Sequence, residues 1–342
     1  MKPGLRTESG FSMLEVLVAM TITLVALGVA FSAFEGVSGA REAATLLTDN
    51  NQSLRTSLNL MTRDLLSTGR DVLVGGIPIP SGNVTPLVRP GPTGAALTLP
   101  ADNITLQAVT PGPGLGALVN GIATDVVTIL MVDTSLPLDS QFLTNVAGDG
   151  SSVTVDPAVP IDAPGNRIQP GDLIWLSNSL NNAIQMVTGR AGQTIQFAAG
   201  DPMNLNQRGA QRGTVLQMQQ APGVYPQTTA RRVLMISYYI DASSPARPRL
   251  MRRINLGQDR AIGMDIENLQ ITYDLVDGTA NVANVDAPVP PSTPAQIRKA
   301  NVFLSGRSHR PWSRTRQFLR NTLSTQVSLR SLSYMDRYPA EQ

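Results

Sequence analysis

The sequence predicts an α+β fold, in which one long N-terminal helix packs on a β-rich globular head. Three observations predict it. Positions 11–34 form an apolar run with one charged residue, and apolar residues then recur at helical spacing to about residue 68. Beyond that point, short segments rich in β-branched residues alternate with turn-forming Gly and Pro, of which the chain has 29 and 25.

The composition excludes several classes of site. The chain has no Cys and one His, His309. Disulfides, Cys-based zinc sites, iron–sulfur clusters, Cys nucleophiles and multi-His metal centres are therefore excluded. A serine triad would have to use His309, and no G-x-S-x-G sequence accompanies it. We expect no catalytic residue, no metal and no cofactor, so the protein is expected not to be an enzyme.

The first element is the apolar run Phe11–Phe34, which predicts a membrane-spanning helix. Its 24 residues would extend about 36 Å, against about 30 Å for a bilayer core. No signal-peptidase site follows the run, so we expect the helix to be retained. Lys2 and Arg6 precede it, which places residues 1–10 in the cytoplasm and the rest of the chain across the membrane.

Glu15 is the one charged residue inside this run. A carboxylate at such a position costs on the order of 2.5–3.5 kcal/mol on insertion scales, and residues of this kind are usually functional and partnered. The alternative is that Glu15 lies near enough to the helix end to reach the headgroups.

The hexapeptide from Gly10 to Glu15, GFSMLE, resembles the processing site of type IV prepilins. The resemblance includes the short basic leader, its final Gly10, the following Phe11, and Glu15 as the fifth residue of the mature chain. It implies cleavage between Gly10 and Phe11 by a prepilin peptidase, which then N-methylates Phe11. It also implies that Glu15 pairs with the charged N-terminus of a neighbouring subunit. Such a pair would offset the burial cost of the carboxylate.

The second half of the helix is predicted to be amphipathic and to lie beneath the head. Gly36 and Gly39 mark a point where a bend is expected, and Gly69 is a helix stop. We expect one helix from about Ser12 to Thr68. The predicted apolar stripe consists of Ala40, Ala43, Leu47, Leu54, Leu58, Met61 and Leu65.

These features divide the chain into a leader (1–10), a transmembrane or assembly helix (11–34), its amphipathic continuation (35–69) and a β-rich head (70–342). Gly/Pro-rich loops are expected at 75–120 and 280–297.

Two segments of the head resemble binding motifs. GPGLGA, Gly112–Ala117, is rejected as a phosphate loop because it lacks the flanking strand and helix. Asp149 and Asp156 could hold Ca²⁺, but a hairpin turn is favoured. Predicted strands are Asp125–Val132, Ser152–Asp156, Leu173–Ser177, Ala183–Thr188, Thr194–Phe197, Thr214–Met218, Arg232–Asp241, Arg249–Ile254, Asn268–Leu275, Lys299–Ser305 and Gln326–Ser333.

Later blocks of the head resemble PilW-type minor pilins. They are Arg167–Val187, Tyr238–Asp241, Pro248–Arg253, Met264–Tyr273 and Thr325–Leu332. The helix end, Thr62–Gly69, resembles the same family. The minor pseudopilin J of type II secretion shares a similar helix and closing strand. The resemblance implies a minor pilin that primes type IV pilus assembly and sits in or near the tip. Implied partners are the prepilin peptidase and methyltransferase, other minor and major pilins, the assembly platform and a tip adhesin. The protein would start as a single-pass inner-membrane protein with a periplasmic head and end in the pilus.

The C-terminal part of the head is strongly basic. Residues 298–342 carry nine basic and two acidic side chains, a net of +7, whereas 71–200 carry nine acids and three Arg, a net of −6. An arginine patch could hold nucleic-acid phosphates, with two aromatic residues to stack on bases. We favour instead a solvated face, or ion pairs with the acidic segment or another pilin. The patch consists of Arg307, Arg310, Arg314, Arg316 and Arg320, with Trp312 and Phe318 among them.

Two other functions fit the sequence. A minor pseudopilin of a type II secretion system would use the same N-terminal chemistry, although the large head favours a pilus subunit. A single-pass membrane-anchored binding protein would carry the Gly–Phe junction by chance.

Overall fold

In a computed structural model, the protein has the predicted α+β architecture: one long helix packs on a β-rich head. The structure describes residues 10–73, 75–92, 97–100, 103–164, 167–276, 281–290 and 292–334. Leader positions 1–9 and parts of the predicted loops at 75–120 and 280–297 lie outside the described residues.

The long helix, here called the spine helix, runs from Met13 to Leu66 without a break at Gly36 or Gly39. Its predicted bounds differ from the observed ones by one residue at the start and two at the end. It ends because Gly69 adopts a left-handed φ of 74° and donates its N–H to the carbonyl of Leu130, at 2.8 Å.

The head covers only the second half of the spine helix. Positions 10–38 are all exposed, and the buried face starts further along. The predicted stripe was partly wrong, since Ala40 is exposed and Leu47 is only half-buried, while Leu46 is buried. The reason is that polar side chains share the buried face. The buried positions are Leu46, Asn50, Leu54, Ser57, Met61, Asp64 and Leu65.

A seven-stranded antiparallel sheet, the central sheet, forms the middle of the head. Its longest strand, Thr229–Asp241, pairs with three others along its length. This is why a run of largely apolar residues is buried on both faces there. The strands are Val109–Thr110, Val127–Val132, Leu173–Ser177, Asn182–Met186, Thr229–Asp241, Arg249–Ile254 and Arg260–Met264.

A four-stranded antiparallel sheet, the C-terminal sheet, lies beside the central sheet and against the spine helix. Ile266–Val276 alternates buried and half-buried side chains along most of its length, as a strand with one face on a core does. The main core joins Leu54 and Met61 of the spine helix to Tyr238 of the central sheet and Leu304 of the C-terminal sheet. The strands of this sheet are Ile266–Val276, Asn281–Val285, Ile297–Arg307 and Arg320–Ser328.

Smaller sheets extend the head away from the spine helix, and one of them encloses a separate apolar core around Phe197 and Ile195. Three two-stranded pairs account for most regular structure in the predicted loop 75–120. The additional strands are Asn145–Val146, Ser152–Thr154, Gly189–Ala191 and Thr194–Gln196 in one sheet, and Ile77–Pro78, Thr105–Leu106, Val88–Arg89, Leu97–Thr98, Leu118–Val119 and Ile122–Ala123 in the pairs. Short helices are Leu138–Ser140, Val215–Met218, Pro294–Gln296 and Arg330–Tyr334.

Three local predictions were wrong. The expected strand Thr214–Met218 contains a 3₁₀ turn, Val215–Met218, which follows the left-handed Gly213. The closing strand is Arg320–Ser328 rather than Gln326–Ser333, because it pairs along its whole length with Ile297–Arg307. The predicted loop 280–297 includes a strand, Asn281–Val285, which pairs with residues 273–276.

Three polar side chains, spaced seven residues apart, attach the spine helix to three parts of the head. Asn50 donates to the Gly306 carbonyl at 3.1 Å. The Ser57 hydroxyl lies 3.1 Å from the Ile262 carbonyl and shares its one proton between that carbonyl and the Ser53 carbonyl of the same helix, at 2.8 Å. Asp64 accepts from the Tyr238 hydroxyl at 2.6 Å and from Arg252 Nε at 2.7 Å. We call Asn50, Ser57 and Asp64 the polar heptad. The bonds set both the rotation and the axial position of the helix on the head.

Two glycines allow the close approach that these bonds need. A Cβ atom added to Gly263 would overlap the Ser57 hydroxyl, and one added to Gly306 would overlap the Asn50 amide. The backbone of the head therefore touches the helix directly at these points, and the polar side chains of the helix take the carbonyls as acceptors.

Removal of the Asp64 carboxylate tests this attachment. Asp64→Ala leaves Arg252 and Tyr238 without their acceptor in a largely buried place, so we expect the free energy of unfolding to fall by about 3 kcal/mol. The measurement is urea unfolding of the detergent-solubilised full chain, followed by near-UV circular dichroism. Asp49→Ala, at an exposed position of the same helix, is the control and should change it by less than about 0.5 kcal/mol. Equal effects of the two changes would contradict the account.

Candidate processing and assembly site

The Gly10–Phe11 junction lies in exposed chain without regular secondary structure, immediately before the spine helix. Gly10 and Phe11 are outside the helix, and Phe11 is 87% exposed. Ser12 is the N-cap, with extended backbone angles of φ −76° and ψ 148°. A peptide bond outside the helix and exposed among the described residues is accessible to a peptidase.

Glu15 forms a capping box with Ser12. The Glu15 carboxylate oxygen Oε2 accepts from the Ser12 N–H at 2.9 Å and from the Ser12 hydroxyl at 3.1 Å. The Ser12 hydroxyl oxygen in turn accepts from the Glu15 N–H at 3.2 Å. These bonds satisfy two backbone N–H groups at the start of the helix and place the carboxylate beside the N-terminal positive end of the helix dipole.

Ser12 is a residue that the sequence reasoning missed. The spacing Ser12-x-x-Glu15 before an apolar run is the pattern of a capping box, so the signal was present in the sequence. Both side-chain hydrogen bonds fall on Oε2, and among the described residues Oε1 of Glu15 accepts none. The carboxylate thus has a local partner at Oε2 and, among the described residues, no hydrogen bond at Oε1.

The apolar surface that follows Glu15 is uncovered in the single chain. The spine helix contains an 18-residue window of mean hydropathy 2.3, no part of which is buried. The Thr21 and Thr23 hydroxyls are satisfied within the helix, since they donate to the carbonyls of Leu17 and Ala19. By length and composition this helix can cross a membrane, and it offers the same surface to neighbouring helices.

The predicted arginine patch is not one surface, because Arg307 is buried. Arg307 forms an ion pair with Glu267 at 3.1 Å and donates to the carbonyls of Pro245 and Ala246. Its guanidinium lies 4.3 Å from the centre of the Phe318 ring. Arg320 also binds Glu267, at 2.7 Å. Hence Glu267, on strand Ile266–Val276, binds Arg307 at the end of the neighbouring strand and Arg320 at the start of the closing strand.

The other three arginines lie in the loop between the last two strands. Arg310 pairs with Glu42 of the spine helix at 2.8 Å, while Arg314 and Arg316 are exposed. Of the alternatives considered for this patch, ion pairs with segment 71–200 do not occur among the described residues, whose acidic partners are Glu42 and Glu267. Local geometry explains this, since both partners lie beside the closing strand or its loop.

The remaining candidate residues have ordinary structural surroundings. His309 is exposed at the start of the same loop. Asp149 lies in a hairpin turn, accepts from the Ser151 N–H at 3.0 Å and pairs with Arg208. The Gly114 N–H of GPGLGA donates to the Asp125 carboxylate at 2.8 Å. No group of three potential metal-ligating side chains occurs among the described residues.

Comparison with known proteins finds a known motif in the N-terminal part of the chain. A family model described as the prokaryotic N-terminal methylation motif matches residues 5–31. No curated protein and no solved structure matches the chain. The motif supports a type IV pilin-like protein that is processed by a prepilin peptidase and makes pilin-type assembly contacts. Together with the apolar helix, it is consistent with a single-pass inner-membrane anchor.

Glu267 makes stability depend on pH. Burial opposes ionisation of Glu267, but hydrogen bonds from Arg320 and Asn120 and the charges of Arg320 and Arg307 lower its pKa. A lowered folded pKa means that the carboxylate contributes stability above the unfolded value of about 4.3, and that this stability is lost as pH falls through the folded pKa.

We therefore expect Glu267→Gln to cost about 3 kcal/mol at neutral pH, because it leaves Arg307 buried without its counter-charge. The difference from the unmodified chain should shrink as pH falls below about 4. Urea midpoints measured at a series of pH values provide the readout. Asp139→Asn is the control, since its pair with Arg231 is 38% exposed on both sides and should contribute less than about 1 kcal/mol. A Glu267→Gln penalty that does not change with pH would rule out the ionic role.

Proposed function

We propose that this protein is a minor pilin, a structural subunit that primes type IV pilus assembly and sits in or near the tip. The observation that carries the proposal is that the two halves of one continuous helix have different surroundings. Its first half bears the methylation motif and is uncovered, and its second half is fixed to a folded head. A subunit of this form can enter a bundle through its helix while its head stays outside.

Processing would create the charge that Glu15 needs. In the uncleaved chain the Phe11 nitrogen is an uncharged amide. Cleavage after Gly10 removes Lys2 and Arg6 with the leader and makes the Phe11 nitrogen a cationic amine, which N-methylation leaves able to carry its charge. Assembly through this pair would thus be restricted to mature subunits.

The spacing of the two groups defines the step between neighbours. Phe11 lies just outside the helix, four residues before Glu15. If the helix of the mature chain extended back to Phe11, the two groups would be about 6 Å apart along its axis. A neighbouring helix displaced by about one turn would bring its amine to the Glu15 carboxylate. Ser12 holds that carboxylate through Oε2, which leaves Oε1 for the incoming amine. In apolar surroundings this pair offsets the cost of burying either charge alone.

The size of the head supports a place at the end of a filament. A head of this length has an expected radius of gyration of about 18 Å, whereas packed helices lie only about 8–10 Å apart. Adjacent copies would have to be displaced far along the axis to avoid overlap of their heads. One or a few copies at a tip meet this constraint without such displacement.

We infer a function in assembly and not in catalysis. The motif residues Gly10, Phe11 and Glu15 lie at the start of the spine helix or just before it, away from the head. His309 is an exposed loop residue, and its neighbour Ser308 donates to the Arg310 carbonyl. The head would face the periplasm and then the cell surface. A minor pseudopilin of a type II secretion system would use the same helix, and piliation and secretion assays in the same mutant separate the two machines.

Two variants separate the charge of Glu15 from its capping role. Glu15→Gln retains a capping-box side chain but loses the charge, whereas Ser12→Ala retains the charge but loses the cap. We expect both chains to be processed, with a mature N-terminus at methylated Phe11 by mass spectrometry. Incorporation into pili should fall about tenfold or more for Glu15→Gln and change little for Ser12→Ala.

Normal incorporation of the Glu15→Gln chain would refute the charge-pair assignment. A mature chain that still starts at Met1 would refute the pilin assignment as a whole and favour a simple membrane anchor.

A further inference from the structure

The loop between the last two strands lies against the spine helix close to the end of the apolar run. We call positions 308–319 the base loop. The Trp312 indole N–H donates to the Gly39 carbonyl at 3.2 Å, and the Ser313 hydroxyl donates to the Glu42 carboxylate. Arg310 pairs with the same carboxylate at 2.8 Å. The base loop is thereby fixed to the helix at Gly39 and Glu42.

Hydrogen bonds within the base loop give it a defined tip. The Ser308 N–H donates to the Leu319 carbonyl at 2.7 Å, which closes the loop at its base. The Trp312 N–H donates to the Gln317 carbonyl at 2.9 Å, and the Arg316 N–H donates to the Trp312 carbonyl at 2.8 Å. This turn places Arg314 and Arg316 at the tip, and both are exposed.

The height of the base loop above the apolar run matches the headgroup layer. Gly39 is five residues beyond Phe34, the last residue of the run, which is about 7 Å along the helix. The headgroup region on each side of a bilayer core is about 5–8 Å thick. Trp is enriched at both membrane–water interfaces, and a long Arg side chain can keep its charge among the headgroups, so both residue types of the base loop suit this depth.

The charges at this level are mainly positive. Arg41, Arg314 and Arg316 are exposed, and none of them forms an ion pair among the described residues. One exposed acid, Glu35, opposes them, while Glu42 is already paired with Arg310.

We propose that the base loop binds the phosphate groups of anionic phospholipids in the bilayer that the spine helix spans. The inference rests on the proposed function, in that the chain must first be membrane-anchored. Arg314 and Arg316 would contact lipid phosphates, and Trp312 would lie at the level of the headgroups. Such binding holds the head upright on the membrane before assembly and must be released when the subunit enters a filament.

The same arginines are less suited to nucleic acid. Trp312 is fixed to the helix through Gly39, so its ring is not free to stack on bases. A nucleic acid would have to lie in the headgroup layer to reach the tip of the base loop. Lipid phosphates, by contrast, are present there whenever the helix is inserted.

The test uses the full chain in nanodiscs of phosphatidylcholine, with or without phosphatidylglycerol, and headgroup-nitroxide lipids as fluorescence quenchers. The chain has two Trp, and Trp175 is buried within the head, so a change in quenching reports on Trp312. We expect phosphatidylglycerol to increase quenching and added salt to reverse the increase. Arg314→Gln with Arg316→Gln should reduce that increase at least about threefold.

The matched control is Arg55→Gln with Arg260→Gln, which removes the same charge from exposed positions. Arg55 lies about 24 Å further along the helix than Gly39. Arg260 is two residues before Ile262, whose carbonyl binds Ser57, about 27 Å beyond Gly39. This control should behave as the unmodified chain.

Inserted chain with equal quenching in both lipids, or equal losses in the two double variants, would overturn the inference and leave the proposed function intact. Arginine-dependent binding of a DNA duplex by chain that shows no response to phosphatidylglycerol would also overturn it. Failure of the chain to insert at all would contradict both.

Discussion

The polar heptad between the spine helix and the head is the contact on which the rest of the structure depends. Apolar packing alone would allow a helix to rotate or slide by small steps on a sheet, because dispersion and burial are not directional. The bonds of Asn50, Ser57 and Asp64 are directional, and each reaches a different part of the head. They set one rotation and one height, with Gly263 and Gly306 allowing the backbone to come close enough.

This attachment determines what the first half of the helix can do. Because the head is fixed from Leu46 onward and the base loop reaches back to Gly39, the apolar half projects from the head as an uncovered helix. Glu15 and the Gly10–Phe11 junction lie at its far end. Forces on the helix within an assembly would pass to the head through the polar heptad, so the strength of that contact sets how firmly a subunit is held.

Patterns that depend on near neighbours were predicted well. The helix bounds, the apolar run and the strands Leu173–Ser177 and Arg249–Ile254 follow from periodicity and turn residues, which act over a few positions. The N-terminal motif was predicted for the same reason, and the family match to residues 5–31 supports it.

Features that depend on distant contacts were not predicted. The closing strand was misplaced because its start is set by pairing with Ile297–Arg307. Arg307 was taken as exposed because its partner Glu267 is 40 residues away. Asp64 was overlooked because only the fold brings Tyr238 and Arg252 to it. The contact that a polar residue such as Asp64 makes from a buried helical position can be assigned only once the fold shows its partner.

The central claim is that Glu15 contacts the N-terminal amine of another subunit in the assembled pilus. A zero-length carbodiimide joins a carboxylate to an amine only when the two are in contact. Isotope-labelled chain, cross-linked within purified pili and digested, is then analysed by mass spectrometry. The account predicts a linked peptide that joins labelled Glu15 to the methylated N-terminus of a different pilin. Glu15 recovered without any link, or linked only within its own chain, would contradict it.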